Sequence, residues 1–389
     1  MDAPFTDRVA NIAPEGAYRV MAKAQELEAQ GKEILHLEIG QPDFPTFPPI
    51  CEAGKEAIDQ GYTRYNPSAG YGDLREKIAH IRSEQGYPTA ASQVVIGPGA
   101  KPGLVFPILA IAQAGDEILY PDPGFPTYRS SIELASATPV PVPLVEENSF
   151  SFDLEALERR ITSRTKLLIL NSPANPTGGI IPQSDLDAIA SISRQHGFWI
   201  LSDEIYSRLI YDLKQLPSIA SHADLQNRLI IVDGFSKTYA MTGWRLGHAI
   251  MPEALAEKVE LLLMHSIGCT AGFTQKAGLA ALDKTDDYVE EVVNEYRTRR
   301  NRFIDGLNRL EGVDCKKPDG AFYAFPNVSK LGIPSDILAN RLLEEAGIAC
   351  LSGKDFGPGG EGYLRFSYAT GQNTLDRCID ALGEFISRI

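Results

Sequence analysis

Short apolar segments alternate with helical patterns in the middle of the chain. Five of them carry apolar residues at successive positions and end on polar residues or glycine, which is typical of strands buried on both faces: QVVIG, DEILYPD, TKLLILN, GFWILSDE and RLIIVDGFSK. Strands that alternate with helices usually form a parallel sheet with helices on both sides. The pattern therefore predicts an α/β fold.

The pattern changes near Lys284. A long charged helix is predicted in DDYVEEVVNEYRTRRNRFIDGLNRLEG, followed by hairpin-like segments around GAFYAFP and GYLRFSYAT and a last helix. Earlier in the chain, helices are predicted over 18–31, 51–60 and 74–84, and the proline-rich QPDFPTFPPI predicts a crossing between domains. We therefore expect an amino-terminal arm at 1–15, a small α+β domain at 16–48 and 285–389, and a large domain at 49–284.

Composition narrows the class of protein. Among 389 residues, 37 are lysine or arginine and 51 are aspartate or glutamate, and the formal charge of -14 disfavours a nucleic-acid partner. The five scattered cysteines lack CxxC spacing, which argues against a disulfide framework or a zinc site and favours a reducing compartment. No segment approaches the roughly 20 apolar residues of a membrane span. We expect a cytoplasmic protein with no membrane partner and no metal.

Polar residues and glycines follow the predicted strands, at the edge of the sheet where open α/β sheets bind ligands. The turn Gly97–Gly103 leads into an apolar helix whose free N–H groups would suit a phosphate, although its spacing matches neither a dinucleotide fingerprint nor a P-loop. Asn175, Asp203 and Lys237 follow later strands. Taken singly, each fits an ordinary turn residue, helix cap or solvated charge.

Together these residues match the needs of one cofactor. Pyridoxal phosphate requires a lysine amine for a Schiff base, an acid that keeps the pyridine nitrogen protonated, a phosphate site and a partner for the phenolic oxygen. The sequence offers a candidate for each in Lys237, Asp203, the glycine-rich turn and Tyr206.

The segments GFSKTYAMTGWRLG, NSPANPTGG and SDEIY, in this order and spacing, resemble the class I aminotransferases of the fold-type I pyridoxal phosphate enzymes. The resemblance covers essentially the whole chain, from IGQPDF through YNPSAGYGDLREKIA to PDGAFYAFP and YLRFSYA, and indicates the branch that includes short-chain bacterial aspartate aminotransferases. It implies a large α/β/α domain with a parallel-type sheet, a smaller α+β domain, and a homodimer whose two active sites use residues of both chains.

The resemblance implies roles for the residues around the cofactor ring. Lys237 would form the Schiff base with pyridoxal 5'-phosphate and then move the substrate's α-proton, with its pKa lowered from about 10.4 by burial and by Arg245. Asp203 would pair with the pyridine nitrogen. The remaining ring contacts would be Tyr206 and Asn175 at the phenolic oxygen and Phe125 stacked on the ring.

The resemblance also implies two anion sites. The phosphate would be held by the backbone N–H groups of Gly99, Ala100 and Lys101, by the Ser236 hydroxyl, by Arg245, and by Tyr65 of the partner subunit. Arg365 would bind the substrate α-carboxylate through both arms of its guanidinium, a pairing that lysine cannot reproduce. Gly40 and Asn175 would complete the substrate site, because Gly40 allows the backbone to approach the carboxylate closely.

The sequence leaves the preferred amino acid open. A site for dicarboxylic amino acids needs a distal cation, and the loop His265–Thr270 has no lysine or arginine before Lys276. The remaining candidates are Arg19, Lys101, Arg129 and His265. We expect aspartate or a broad range that includes neutral and aromatic amino acids, with glutamate and 2-oxoglutarate as the partner pair.

Two other functions compete with transamination between an amino acid and a 2-keto acid. Related proteins with the same lysine motif catalyse elimination, cyclisation or decarboxylation, and the sequence does not separate these reactions cleanly. A pyridoxal phosphate sensor fused to a DNA-binding domain is disfavoured, because the resemblance occupies nearly the whole chain and the net charge is acidic.

Overall fold

The computed structural model describes residues 14–389 together with Thr6, Val9 and Ile12, so that most of the predicted arm at 1–15 lies outside the described residues. The helices are, in chain order, α1 (Gly16–Ala29), α2 (Pro48–Asp59), α3 (Gly72–Glu84), α4 (Lys101–Ile111), α5 (Thr127–Leu134), α6 (Leu154–Arg160), α7 (Gln183–His196), α8 (Glu253–Ser266), α9 (Gly272–Lys284), α10 (Asp286–Leu307), α11 (Ser335–Ala346) and α12 (Gln372–Ile386). Within the described part, no helix has the length and apolar character needed to cross a membrane.

Eight strands form one large sheet in the order β2-β9-β8-β7-β6-β3-β4-β5. Their bounds are β2 (Val94–Gly97), β3 (Glu117–Asp122), β4 (Thr138–Val145), β5 (Ser151–Phe152), β6 (Thr165–Asn171), β7 (Trp199–Asp203), β8 (Leu229–Gly234) and β9 (Gly247–Ile250). The predicted strands β3, β6, β7 and β8 are parallel, and β4, which was not predicted, joins them. β9 runs antiparallel to both of its neighbours, β8 and the predicted strand β2, and β5 runs antiparallel to β4.

The antiparallel strand β9 has a simple physical cause. A parallel neighbour of β8 would need a crossover, usually a helix, to return the chain to the opposite edge of the sheet. The connection 235–246 contains only short turns, so the chain re-enters the sheet at the edge where β8 ended. Lys237 and Arg245 both belong to this connection and are therefore placed at the carboxyl end of β8.

The large sheet is buried on both faces, as its apolar runs predict. Successive residues of β6 contribute to different hydrophobic clusters: Leu168 and Leu170 pack in one cluster, and Leu167 and Ile169 pack in the other. This alternation follows from the two-residue period of a strand, with helices covering each side. A core on both faces fixes the carboxyl ends of β6, β7 and β8 relative to one another.

The remaining strands form two small sheets. β1 (Leu35–His36) pairs in parallel with β11 (Ile348–Ala349), and β13 (Leu364–Ser367) lies between β10 (Tyr323–Ala324) and β12 (Leu351–Ser352). The predicted hairpin-like pattern is present around GYLRFSYAT, where β13 pairs antiparallel with the preceding strand β12. The sequence did not predict that β13 also pairs with β10, across α11. We propose the boundaries 16–48 with 285–389 and 49–284 for the two domains, which this separation of sheets supports.

Two local predictions also need correction. The proline-rich segment is not wholly irregular, because Pro48 and Pro49 occupy the first turn of α2, where a missing N–H costs no hydrogen bond. The three-residue spacing in SDEIY predicts that Tyr206 lies one helical turn from Asp203, but residues 204–209 form successive tight turns instead of a helix. Tyr206 nevertheless lines the same cavity as Asp203.

Candidate active site

A cavity of about 720 Å³ lies at the carboxyl ends of β6, β7 and β8, between the large sheet and the small sheet that contains Arg365. It brings together nearly all the residues predicted from the sequence: Gly40, Ala100, Lys101, Phe125, Asn175, Asp203, Tyr206, Ser236, Lys237, Arg245 and Arg365. Gly99 and Tyr65 are not among the lining residues. Gly99 lies just behind the lining, and Tyr65 is 97% exposed.

Lys237 extends from the β8–β9 connection into this cavity. Its Nζ donates a hydrogen bond of 2.6 Å to the backbone carbonyl of Gly40. Burial, followed by the positive charges of Arg365, Arg245 and Lys101, lowers the pKa of Lys237 to about 8. This direction agrees with the sequence prediction, in which Arg245 was expected but Arg365 was not.

Asp203 ends β7 and is buried. Its Oδ2 accepts a hydrogen bond of 2.7 Å from the hydroxyl of Tyr128, and its Oδ1 accepts one of 3.2 Å from the backbone N–H of Ile205. Burial raises the pKa of Asp203 to about 6, although both hydrogen bonds act against this rise. Tyr128 was missed in the sequence, where its only signal is a position one helical turn after Phe125 in PDPGFPTY.

The segment after β6 positions Asn175 by a local hydrogen bond. The backbone N–H of Asn175 donates to Oδ1 of Asn171, the last residue of β6, at 2.8 Å. This leaves the Asn175 side chain directed toward Arg365, whose Nη1 donates to Oδ1 of Asn175 at 3.3 Å. The hydroxyls of Tyr206 and Tyr323 share a hydrogen bond of 2.7 Å, so that Tyr323 is a further residue that the sequence did not single out.

The glycine-rich turn forms a cradle of backbone and guanidinium N–H groups at the start of α4. Gly99 has φ +87°, and a Cβ there would overlap Nη2 of Arg245. Arg245 is held beside the turn by a hydrogen bond of 3.0 Å from Nη1 to the carbonyl of Thr242. A Cβ on Gly247 would overlap the Gly99–Ala100 backbone. Glycine at both positions therefore allows the close approach that an anion site at a helix N-terminus needs.

Arg365 lies on the opposite side of the cavity and is only 3% exposed. Its guanidinium lies 4.6 Å from the ring of Tyr323 and 5.2 Å from the ring of Phe356. Nη2 donates to the backbone carbonyl of Glu38. Gly40 lies close to Tyr323, one of the two rings beside Arg365. A Cβ on Gly40 would overlap the Tyr323 hydroxyl, so only glycine fits.

Of the four candidate cations for a distal carboxylate, Lys101 lines the cavity and the other three do not. Lys101 lines the cavity and forms an ion pair with Glu15, which also lines it. Arg19 pairs with Asp355 at 2.8 Å, and Asp355 rather than Arg19 is a lining residue. Arg129 pairs with Glu133 and His265 is exposed near the end of α8, and neither lines the cavity.

Comparison with known proteins gives the family. The family model for aminotransferase class I and II matches residues 32–382. An aspartate aminotransferase of Pyrococcus abyssi is 39% identical over 364 residues, 92% of this chain and 93% of that protein. Aromatic-amino-acid aminotransferase 2 of Thermococcus litoralis is 37% identical over 382 residues, 97% of each.

Solved structures agree with the sequence relatives. The aspartate aminotransferase from Thermus thermophilus with maleate has a TM-score of 0.93 to this chain at 34% identity, covering 98% of this chain and 99% of that one. These similarities confirm the predicted fold-type I α/β class. The cavity at the sheet edge, the match along the chain and the shared fold together show that this chain belongs to the class I and II aminotransferases and is a transaminase.

Proposed function

We propose that the cavity binds pyridoxal 5'-phosphate and that the enzyme exchanges the amino group between an L-amino acid and a 2-keto acid. One observation carries the proposal: a partly buried lysine with a lowered pKa, a buried carboxylate and a buried arginine face one cavity from three different segments. An amine, an acid and a guanidinium that binds a carboxylate are the three groups that this chemistry requires.

The residues of the cavity fit the cofactor. The backbone of Gly99, Ala100 and Lys101, with Ser236 and Arg245, would hold the phosphate, and Phe125 would lie against the ring. Asp203 would hold the pyridine nitrogen, with Tyr206 and Asn175 near the phenolic oxygen. When bound, the cofactor supplies an aldehyde for an amine and a protonated ring that accepts electrons from the substrate's α-carbon.

Lys237 and Asp203 supply the proton chemistry. With a pKa of about 8, an appreciable share of the Lys237 side chain is uncharged near neutral pH and can accept the α-proton. Asp203, with a pKa of about 6, is mostly ionised at the same pH and stabilises a positive charge on the ring nitrogen. The two groups are therefore in the required protonation states within one pH range.

Arg365 and its neighbours orient the substrate. The guanidinium presents parallel N–H groups to the α-carboxylate, and Asn175 lies within reach of the same carboxylate through its contact with Nη1. The two rings beside the guanidinium exclude water from this end of the cavity and strengthen the pairing. A fixed carboxylate places the α-carbon toward Lys237.

We propose aspartate or a broad amino acid range as the substrate class, with glutamate and 2-oxoglutarate as partners. Lys101 supports dicarboxylate binding because it is a cation in the cavity. Its ion-pair partner is the side chain of Glu15, and the distal carboxylate of a substrate could take the place of that side chain beside the Lys101 ammonium group. The relatives are named for aspartate and for aromatic amino acids, and the Thermus structure contains maleate, a dicarboxylate. An apolar wall from Met21, Ile39 and Phe356 would also accept aromatic side chains.

We also propose a homodimer with shared sites. Tyr65 is 97% exposed in the single chain, although the resemblance assigns it to the phosphate of the other subunit. Further large apolar side chains are exposed at Ile58, Leu261, Met264 and Ile267. A partner that covered them would bury apolar surface and bring Tyr65 to a second cavity.

The test is a titration of the purified enzyme, loaded with pyridoxal phosphate, with single amino acids and no keto acid. Conversion of the visible absorption to that of pyridoxamine phosphate, reversed by a 2-keto acid, is the expected result, and the amplitudes rank the side chains. Release of ammonia or carbon dioxide without this conversion would instead assign elimination or decarboxylation. Lys237→Ala should abolish the conversion while cofactor still binds noncovalently, with Lys354→Ala, an exposed lysine, as the control.

A further inference from the structure

A row of ionisable side chains leads from the protein surface to Glu38, whose backbone carbonyl contacts Arg365. Glu28, in the last turn of α1, has its Oε1 3.1 Å from Nε2 of His36, and Nδ1 of His36 is 2.8 Å from Oε1 of Glu38. The His36 side chain is 40% exposed, whereas Glu38 is 1% exposed. The row therefore runs from solvent into the interior within three side chains.

The inner end of the row adjoins the arginine that binds the substrate carboxylate. The backbone carbonyl of Glu38 accepts from Nη2 of Arg365. Burial lowers the pKa of Arg365, and Tyr323, Tyr206, the Glu38 carboxylate and Asp355, in decreasing order, offset part of this effect. Within the described residues, Oε2 of Glu38 and Nε of Arg365 are buried and have no hydrogen-bond partner.

A buried carboxylate beside a substrate-binding guanidinium has two opposite effects. It compensates the charge of Arg365 while the site holds no substrate, and it competes with the substrate carboxylate for the same positive charge. His36 decides which effect dominates, because a protonated imidazole neutralises Glu38 and a neutral one does not. Glu28 and Glu38 are the charged groups that act on His36, and the nearby thiol of Cys350 stays protonated because burial raises its pKa.

We propose that the carboxylate of the substrate binds Arg365 more tightly when His36 is protonated, with Glu38 as the positioning residue that couples the two sites. The coupling rests on the proposed role of Arg365. It is reciprocal by thermodynamic necessity, so a bound carboxylate must also favour the proton on His36. The structure thus assigns Glu38 and His36 a role in substrate affinity although neither lines the cavity.

The expected pH dependence follows from the charges. Burial acts to lower the pKa of His36, but the hydrogen bonds that its ring donates to the carboxylates of Glu38 and Glu28, with the charges of both, outweigh burial, so the pKa lies above its ordinary value. As pH rises through that pKa, His36 loses its charge and Glu38 is no longer neutralised. The KM for the amino acid should then rise by about three- to tenfold, with little change in kcat.

The test uses propionate, a monocarboxylate without an amino group that stays ionised across this pH range, and enzyme loaded with pyridoxal phosphate. Propionate affinity is measured against pH by calorimetry, and the titration of His36 is followed by NMR with and without propionate. We expect about three- to tenfold tighter binding at the low-pH end and a His36 midpoint that moves to higher pH when propionate is bound. An unchanged midpoint would overturn the coupling.

Variants separate the coupling from a merely structural role. His36→Asn should remove the part of the pH dependence that follows the His36 midpoint, while His80→Asn, at an exposed histidine paired with Glu84, should preserve it. Glu38→Gln should bring the high-pH affinity up to the low-pH level, whereas loss of a structural contact would weaken binding at every pH. If Arg365→Met leaves propionate binding unchanged, the proposed role of Arg365 itself fails. If Arg365→Met weakens binding but His36→Asn keeps the wild-type profile, only the coupling fails.

Discussion

The hydroxyl of Tyr128 donates a hydrogen bond of 2.7 Å to Oδ2 of Asp203, and both side chains are buried. Burial also raises the pKa of Tyr128, so the phenol remains a neutral donor at every working pH. Because a hydrogen bond to the ionised carboxyl favours that form, Tyr128 holds the pKa of Asp203 below the value that burial alone would give. The pair therefore sets the pH at which Asp203 becomes the anion that a pyridinium nitrogen needs.

Removing this hydroxyl should impair catalysis most at low pH. In Tyr128→Phe, the pKa of Asp203 rises further, and the acidic limb of the kcat/KM profile should move to higher pH with a loss of about two- to tenfold at neutral pH. Tyr368→Phe is the matched control, since Tyr368 is a buried phenol bonded to Tyr211 outside the cavity. An acidic limb that stays in place would show that Tyr128 does not act through Asp203.

The glycine-rich turn gives a second prediction. Gly99→Ala places a Cβ against Nη2 of Arg245 at a backbone position with φ +87°, so the guanidinium must move away from the cradle. We expect the affinity for pyridoxal phosphate to fall by about tenfold or more, because a charge-assisted contact to the phosphate is lost.

A second glycine separates strain from contact. Gly115 also has a positive φ, +96°, and a Cβ there meets nothing within 4 Å. Gly115→Ala should cost about 1 kcal/mol of folding free energy from the left-handed backbone but leave cofactor affinity unchanged. Equal loss of cofactor affinity in both variants, measured by fluorescence titration, would show that the effect of Gly99→Ala is only general destabilisation.

The sequence predicted those parts of the fold and the cavity that depend on local pattern. Apolar runs that end in polar residues placed Asp203 at the end of β7 and Asn175 and Lys237 just after β6 and β8, and parallel pairing then brought these residues to one edge. The site assignments themselves remain predictions that the variants above test.

Other contacts have no local signal. Tyr128 reaches Asp203 from a helix 75 positions away, and Arg365 reaches the backbone of Glu38 across 327 positions. Such pairs are fixed by how the layers pack and not by periodicity. The pairing of β10 with β13 was missed for the same reason, since α11 separates the two segments and the pattern predicted only local hairpins.

The ion pair between Lys101 and Glu15 predicts how side-chain preference can be changed. Lys101→Met should raise the KM for aspartate by about tenfold or more and leave the KM for phenylalanine nearly unchanged, because only aspartate carries a distal carboxylate. Glu15→Gln should lower the KM for aspartate, since it frees the ammonium group. Arg129→Met, at an exposed residue outside the cavity, serves as the control. Equal losses for both substrates in Lys101→Met would remove Lys101 from the distal site.

The exposure of Tyr65 predicts that activity can be restored by mixing two inactive enzymes. One chain carries Tyr65→Ala and the other carries Lys237→Ala. If Tyr65 completes the cavity of the partner subunit, both changes then fall in the same cavity. A mixed dimer then contains one site with both changes and one with neither. An equal mixture in which subunits exchange freely should therefore recover about a quarter of the wild-type activity.

Two measurements make this result decisive. Exchange of subunits is verified by mass spectrometry with one variant isotopically labelled, and the Tyr65→Ala enzyme is first shown to be folded, with a melting temperature close to that of the wild type. Recovered activity would then demonstrate shared sites, because neither chain alone supplies an intact one. Verified exchange without recovery would mean that each chain builds its site from its own residues, and the exposed phenol would have no part in phosphate binding.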